Sequence, residues 1–226
     1  MIKIAIDGHS GSGKSTLADG LAEKLGIKHL STGAILRAMG LYFFENGIDN
    51  PSDSDVEMNL NKMQIKIDFD GSVQKTYLNG EDVTGKISAE TIGQMASKVA
   101  AIKTAMLKVI DVSQDFAKNC SCVLDGRNVT TEILPDADVK IYLDADVKAR
   151  AERRQKELKA LSKTMDFDEV LKSLNERDYR DTHRDFSPLM VAKDAVVVDN
   201  TNMSLAETID YCYDLICKKL KSLGKI

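Results

Sequence analysis

The chain is predicted to adopt an α/β fold built on a parallel sheet, because strand-like and helix-like patterns alternate along its 226 residues. Short runs rich in β-branched and apolar residues predict five buried strands, at 2–7, 27–30, 120–125, 139–143 and 195–199. Helical spacing of apolar residues separates them, most clearly in the last predicted helix, 205–223. Parallel strands need such crossovers, so we expect a sheet flanked by helices.

One segment, 64–84, breaks this alternation. Apolar and polar residues alternate there around Asp70-Gly71 and Asn79-Gly80, and both dipeptides favour tight hairpin turns. The pattern predicts a small antiparallel insert of about three strands. Residues 88–118 then return to helical character.

Composition excludes some classes of protein. A net charge of −4 argues against a protein that binds nucleic acid through an overall positive field. No apolar run approaches the roughly 18 residues of a membrane helix, and the N-terminal sequence lacks a signal-peptide pattern, so a cytoplasmic location is expected. The four cysteines show no metal-binding spacing and are interpreted as buried thiols.

Residues 8–15 read GHSGSGKS and match the phosphate-binding pattern G-x-x-x-x-G-K-[ST] between a predicted strand and a predicted helix. Glycines let backbone N–H groups turn toward phosphates, and the helix N-terminus adds positive potential. Lys14 would reach the outer phosphates of ATP and Ser15 would offer a hydroxyl to Mg²⁺, whereas His9 is interpreted as a bystander. The predicted ATP-binding residues of this loop are Gly8, His9, Ser10, Gly11, Ser12, Gly13, Lys14, Ser15 and Thr16.

Asp125 ends a predicted strand, where parallel sheets present catalytic side chains. We expect it to complete a Mg²⁺ site with Ser15, through water. The alternative is a turn aspartate before Gly126. ATP and Mg²⁺ are therefore the expected cofactors.

Arginines cluster near the expected ends of strands and helices. Besides Arg37 and Arg127, two predicted helices carry arginines at i+3 and i+4 spacing: Arg150, Arg153 and Arg154 on one, Arg177, Arg180 and Arg184 on the next. Guanidinium groups bind phosphates through two parallel hydrogen bonds, and phosphoryl transfer depends on such neutralisation. The alternative is a solvated pair of mixed-charge helices.

The chain resembles bacterial cytidylate kinases from end to end. The matching segments are IAIDGHSGSGKST at the N-terminus, STGAILR at 31–37, YLNGEDVTGKI at 77–87, ASKVAA at 96–101, LDGR at 124–127, PDADVKIYLDAD at 135–146 and ERDYRD at 176–181. The resemblance implies a P-loop nucleoside monophosphate (NMP) kinase fold with a five-stranded parallel core, an antiparallel insert in the NMP-binding region and a helical lid. The implied division is a core at 1–30, 102–150 and 190–226, an NMP-binding region at 31–101 and a lid region at 151–189.

The resemblance also implies residue roles. Thr32, Arg37, Ser97, Arg127, Asn128, Arg177, Asp181 and Arg184 would bind the NMP. Among them, Arg37, Arg127 and Arg184 would hold its phosphate, Arg177 and Asp181 its sugar, and Ser97 its base. The lid arginines Arg150, Arg153 and Arg154 would close over ATP. Lys14, Arg127, Arg150 and Arg154 form the implied catalytic set.

Two departures from the family pattern fall on base recognition. Met106 stands where the family usually has arginine, and Asn128 where it usually has aspartate. A shift of one helical turn could bring Lys103 or Lys108 into the arginine's place. The expected activity is ATP-dependent phosphorylation of CMP or dCMP by a monomer. The alternatives are UMP or another small acceptor, or a nucleotide-binding module without turnover.

Overall fold

The computed structural model describes residues 1–71, 73–160 and 165–226, and its centre is a five-stranded parallel sheet. In chain order the strands are β1 (Lys3–Asp7), β2 (Lys28–Ser31), β3 (Ile65–Asp70), β4 (Val73–Leu78), β5 (Glu81–Asp82), β6 (Cys122–Gly126), β7 (Val139–Asp144) and β8 (Val196–Asp199). The parallel sheet has the order β2-β6-β1-β7-β8, and β3-β4-β5 form a separate antiparallel sheet. Both predicted sheets are confirmed.

The described residues contain α-helices between the strands of the parallel sheet. They are α1 (Lys14–Leu25), α2 (Thr32–Glu45), α3 (Asp53–Asn59), α4 (Glu90–Val99), α5 (Lys103–Lys118), α6 (Val147–Ala160), α7 (Phe167–His183) and α8 (Leu205–Ser222). Helix α8 begins at a capping box in which Ser204 and Glu207 satisfy each other's backbone N–H groups. No helix in the described ranges is both long and apolar enough to cross a membrane.

The parallel sheet carries a hydrophobic core on each face. Side chains alternate along a strand, so Ile4 and Ile6 of β1 pack with α1 and α8. Ala5 points to the other face and packs with Leu124 of β6 and Ala117 of α5. Helices on both faces leave the carboxyl ends of the strands free to form a site.

Two further clusters lie beside this sheet. Helices α2, α4 and α5 enclose a core with the antiparallel sheet, and α6 packs on α7 around a smaller one. The side-chain oxygen of Gln74 accepts a hydrogen bond from the backbone N–H of Ser31 at 2.8 Å, which ties the antiparallel sheet to the end of β2. Ser72 of the predicted insert and residues 161–164 of the predicted lid lie outside the described residues.

The structure differs from the sequence-based expectations at three places. The helical segment 88–118 is two helices, because the chain is extended at Ile102 before α5 begins. A π-helical turn, Val129–Ile133, follows β6 and was not predicted. The prediction that Arg184 continues the helix of Arg177 and Arg180 is wrong: α7 ends at His183, and Arg184 has an extended backbone with ψ 144°.

Candidate active site

The loop between β1 and α1 has a geometry that suits an anion. Helix α1 begins at Lys14 with Gly13 as its N-cap, no side chain caps its N-terminal N–H groups, and its first turn holds no acidic residue. Gly8 has φ +149°, and a Cβ there would stand 2.0 Å from the carbonyl oxygen of Leu143 on β7. The loop therefore lies directly against the sheet, with the uncapped end of α1 available to phosphate.

Lys14 is a buried cation within this loop, with 5% of its surface exposed. Its Nζ donates to the backbone oxygen of His9 at 2.5 Å and to the Ser12 hydroxyl at 3.3 Å. Burial, reinforced by the positive charge of Arg127, holds the pKa of Lys14 well below its usual value. A phosphate in the loop would provide the counter-charge that Lys14 lacks.

Ser15 and Asp125 meet as the sequence predicts. The Ser15 hydroxyl donates to Oδ2 of Asp125 at 2.8 Å. Among the described residues no group of three or more His, Cys, Asp or Glu side chains could hold a metal. One hydroxyl beside one carboxylate nevertheless suits Mg²⁺, which binds through few carboxylates and retains water and substrate phosphates as ligands.

Sequence reasoning missed His29, which contacts the other oxygen of Asp125. Its Nε2 lies 2.8 Å from Asp125 Oδ1, and its Nδ1 lies 2.6 Å from Asp19 Oδ1. Burial alone would lower the pKa of His29, but hydrogen bonds and charge from the two carboxylates outweigh it and raise the pKa to about 9. Burial would raise the pKa of Asp125, yet His29, Lys14 and Ser15 together lower it.

A cleft of about 390 Å³ opens in front of the loop. Most predicted site residues line it: Ser10, Gly11, Gly13, Lys14, Ser15, Thr16, Thr32, Arg37, Ser97, Asp125, Arg127, Asn128, Arg154, Arg177, Asp181 and Arg184. The predicted residues that do not line it are Gly8, His9, Ser12, Arg150 and Arg153. The structure thus brings the predicted ATP loop and the predicted NMP contacts to one cavity.

Three arginines give the far wall of this cleft a concentrated positive charge. Burial lowers the pKa of Arg37, Arg177 and Arg184, and with the nearby charge of Arg127 it brings that of Arg177 to about 10. Arg37 donates only to the backbone oxygens of Ile87, at 2.8 Å, and Ala89, at 3.2 Å, within the described chain. In the same residues, Arg177 Nε and Arg184 Nη2 are buried and have no hydrogen-bond partner. Such guanidiniums are suited to an anionic ligand.

Arg127 and Asp181 form an ion pair beside this cluster. Arg127 Nε donates to Asp181 Oδ2 at 2.7 Å. Burial would lower the pKa of Arg127, but the charge and hydrogen bond of Asp181 raise it. The pair links the end of β6 to α7, and both residues line the cleft.

Arg150, the first of the three arginines on α6, lies outside the cleft. Arg150 is buried and donates to the backbone oxygens of Ala145 and Ser10, both at 2.9 Å, and to Asp178 at 2.6 Å. Its guanidinium therefore supports the phosphate loop from outside the cleft in this conformation, and its predicted catalytic role stays a prediction.

Arg153 and Arg154 bind different partners, and of the two only Arg154 lines the cleft. Arg153 donates to the backbone oxygen of Asn200 at 2.6 Å, and the Asn200 amide donates to Ser12 of the phosphate loop at 3.0 Å. Arg154 reaches the cleft and pairs with Glu90 at the start of α4 and with Glu157. Glu90 and Asn200 were not identified from the sequence, because only the fold brings them to α6.

The predicted base contacts lie at one end of the cleft. Ser97 Oγ accepts from Arg180 Nε at 3.2 Å, and the Asn128 amide donates to Ser187 Oγ at 3.0 Å. Met106 is 1% exposed and lies 4.0 Å, through its sulfur, from Arg184 Nη1. Met106 lines the cleft, whereas Lys103 and Lys108 do not, and Lys103 lies over the ring of Phe186. The assignment of Met106 to base recognition stays a prediction.

The sequence also gave no sign of the role of Asp7 at the end of β1. Asp7 is fully buried and accepts hydrogen bonds from the backbone N–H groups of Val129, at 2.9 Å, and Thr130, at 2.7 Å, and from the Thr130 hydroxyl at 2.6 Å. These contacts fix the turn after Arg127 and Asn128, so Asp7 positions the segment that carries them.

Comparisons of the sequence with known proteins point to one family. The family model described as cytidylate kinase matches residues 4–218. A cytidylate kinase from Thermosipho melanesiensis is 42% identical over 219 residues, covering 97% of this chain and 98% of that protein. One from Caldicellulosiruptor saccharolyticus is 39% identical over 217 residues and covers 96% of each.

Solved structures support the fold at lower identity. A gluconokinase from Sinorhizobium meliloti 1021 superposes with a TM-score of 0.52 at 16% identity, covering 99% of this chain and 95% of that one. At such identity the likeness concerns the fold alone. The family match over nearly the whole chain and the high coverage of the curated relatives carry the assignment, and the chain belongs to the cytidylate kinase family.

Proposed function

We propose that this enzyme transfers the terminal phosphoryl group of ATP to CMP or dCMP, giving ADP and CDP or dCDP. The observation that carries the proposal is that one cleft is lined both by the loop with Lys14 and by a cluster of arginines. Arg37, Arg177 and Arg184 face the same cleft as the loop, and burial lowers the pKa of all three. A kinase that joins two anionic substrates needs both.

In this proposal the described residues act by position and charge. Lys14 and the lid residue Arg154 would neutralise charge on the phosphates, while Arg37, Arg127 and Arg184 would hold the acceptor phosphate. The acceptor phosphate oxygen is already anionic, so the reaction needs no strong general base. Lys14 stays protonated when a phosphate stands beside it, because the phosphate offsets the cost of burial.

We propose that Ser15 and Asp125 hold Mg²⁺, Asp125 through water. These two residues would hold the ion beside the phosphate loop, where it would supply positive charge for phosphoryl transfer. The fit rests on the hydroxyl and carboxylate that lie 2.8 Å apart at the end of the phosphate loop.

The division of labour along the chain is also a proposal. Residues 31–101 would bind the acceptor, residues 151–189 would act as the lid, and 1–30, 102–150 and 190–226 would form the core. The separate apolar cluster of α6 and α7 supports a lid that moves as a unit. A monomer in the cytoplasm, with no nucleic-acid or membrane partner, is the working state that we propose.

UMP is the second candidate acceptor, and Asn128 is the observation that favours it. An aspartate there would accept from the cytosine amine and repel the uracil carbonyl, whereas an amide can both accept and donate. Met106 supplies no charged group at the same end.

A panel of acceptors tests the proposal. ADP formation from Mg·ATP is measured with CMP, dCMP, UMP, dUMP, AMP and GMP, for the wild type and for Asn128→Asp. We expect CMP or dCMP to be the best acceptor, and Asn128→Asp to raise the CMP-to-UMP ratio of kcat/KM about tenfold, as a charge-assisted hydrogen bond would. Preference for UMP would move the assignment to a uridylate kinase. Absence of turnover with every acceptor would contradict the kinase proposal.

A further inference from the structure

Asp125 is held from two sides, and each of its oxygens has a different partner. Oδ2 accepts from the Ser15 hydroxyl at 2.8 Å, and Oδ1 lies 2.8 Å from His29 Nε2. Asp125 is 3% exposed and His29 is 4% exposed, so the contact between these two side chains is shielded from water. The carboxylate can therefore rotate only if one of the two bonds breaks.

The chain of contacts continues to helix α1 and closes on itself. His29 Nδ1 lies 2.6 Å from Asp19 Oδ1. Asp19 follows Ser15 by four residues on α1, so the two side chains project from the same face of the helix. On the sheet, β2 pairs in parallel with β6 with His29 opposite Val123, which places His29 and Asp125 on one face. Helix α1, β2 and β6 are thus joined in a ring through Ser15, Asp125, His29 and Asp19.

The chemistry of the partners fixes the orientation of the imidazole. Both neighbours of His29 are carboxylates, so each ring nitrogen faces a hydrogen-bond acceptor and the ring is held between Asp19 and Asp125. Residues that hydrogen-bond a metal-binding carboxylate from behind orient it and tune its affinity.

From this ring we infer that His29, anchored by Asp19, is a positioning residue that aims the carboxylate of Asp125 at the metal site beside Ser15. The inference rests on the proposed function, since it assumes that Ser15 and Asp125 hold Mg²⁺. His29 itself does not line the cleft and is not a catalytic residue.

Calorimetric titration with ATP, without acceptor, tests the inference. Binding is measured in excess Mg²⁺ and in EDTA for the wild type, His29→Phe, His29→Gln and Asp19→Ala. Phenylalanine keeps a flat ring but cannot donate, and glutamine retains one amide donor for Asp125. We expect His29→Phe to reduce the Mg²⁺-dependent gain in affinity about 10–100-fold. Glutamine should restore part of the gain, and Asp19→Ala should cause a smaller loss.

The matched control is Asp210→Ala. Asp210 is an exposed carboxylate that accepts from Lys24 of the same helix α1 at 2.6 Å, far from the ring. It should bind ATP as the wild type does under both conditions. Affinity in EDTA should stay unchanged in all variants, because metal-free ATP does not use Asp125.

Three results would overturn the inference. An unchanged Mg²⁺-dependent gain in His29→Phe would show that Asp125 needs no support. An equal weakening with Mg²⁺ and with EDTA would show a general structural defect. If the wild type bound ATP equally well with Mg²⁺ and with EDTA, the assumption that Ser15 and Asp125 hold Mg²⁺ would be wrong. The titration contains no acceptor. If none of the nucleotides in the acceptor panel were phosphorylated, the measured effect of His29 on Mg²⁺-dependent ATP binding would still be valid.

Discussion

At the scale of single residues, the site is a set of cations that folding has buried without full compensation. Lys14 is 5% exposed, and the pKa values of Lys14, Arg37, Arg177 and Arg184 are all lowered, with burial as the largest cause. A lowered pKa means that the folded protein disfavours these charges, since each loses hydration that no neighbour fully replaces. Phosphate groups are the ligands that would reverse this cost.

Lys14→Met tests this view of the phosphate loop. Methionine has a similar length but no charge, so we expect kcat to fall about 10²–10³-fold, as for loss of one electrostatic contact in a transition state. The melting temperature should be equal or higher, because a disfavoured buried charge has been removed. Initial rates and thermal unfolding measure the two effects.

Lys24→Met is the control for that variant, since Lys24 lies on the same helix with an exposed ion pair to Asp210. Its activity should match the wild type. Near-normal turnover in Lys14→Met would contradict the proposed role of the loop.

At the scale of elements, the α6–α7 pair is bound to the phosphate loop through the buried charge of Arg150 and the half-buried charge of Asp178. Arg150 of α6 donates to the backbone oxygen of Ser10 at 2.9 Å and to Asp178 of α7 at 2.6 Å. Asp178 also accepts from the Ser10 N–H at 3.2 Å. The loop and both helices therefore share one network, which explains why the i+3 and i+4 arginines do not all face the cleft.

We expect Asp178→Asn to lower the free energy of unfolding by an amount that depends on pH. Burial would raise the pKa of Asp178, but the His9 imidazole 3.4 Å away and the charge and hydrogen bond of Arg150 outweigh it and lower the pKa below 3.8. A carboxylate with a depressed folded pKa contributes stability above its unfolded pKa and loses it as the pH falls through the folded value. At neutral pH the variant should lose about 1.5–3 kcal/mol of unfolding free energy.

Urea unfolding of the wild type and Asp178→Asn at a series of pH values measures this difference. The difference in unfolding free energy between the two proteins should be largest at neutral pH and should become smaller below pH 3.8. The exposed Asp210→Asn serves as the control and should show little difference throughout. A gap of constant size at every pH would show that Asp178 does not act through its charge.

At the scale of the whole molecule, the cleft is a junction of parts that come from distant stretches of the chain. The phosphate loop follows β1, and residues of α2, α4 and α7 line the rest of the cavity. Anionic substrates would join these parts by neutralising the positive charge between them. Binding should therefore stabilise the native protein as a whole.

CMP alone should raise the melting temperature, and the shift should grow with the logarithm of the CMP concentration above its Kd. At 100 times its Kd a ligand that binds only the native state adds about 2.7 kcal/mol. For a protein of this size that corresponds to about 5–10 °C. Differential scanning fluorimetry with CMP, AMP and GMP, each at low and high NaCl, measures the shift.

The shift should be largest with CMP and smaller at high NaCl, because part of the attraction to the arginines is screened. Equal shifts with all three nucleotides would show that the cleft recognises phosphate without reading the base.

The strands of both sheets and the phosphate-loop motif could be predicted from the sequence alone, because they depend on neighbours along the chain. Strand runs, helical spacing and two Gly-containing turns predict both sheets, and the residues of GHSGSGKS predict the loop with Lys14 and Ser15. Asp125 could be placed because parallel strands end at one edge.

The contacts between side chains from distant segments could be identified only in the folded structure. Arg150 and Arg154 share a helix, yet one lies beneath the loop and the other reaches Glu90 across the cleft. His29 reads in the sequence as an ordinary strand residue, and it reaches Asp125 and Asp19 only when β2 lies beside β6 under α1. Periodicity and turn chemistry act over a few residues, whereas burial, ion pairing and pKa shifts depend on contacts between segments that are far apart in the chain.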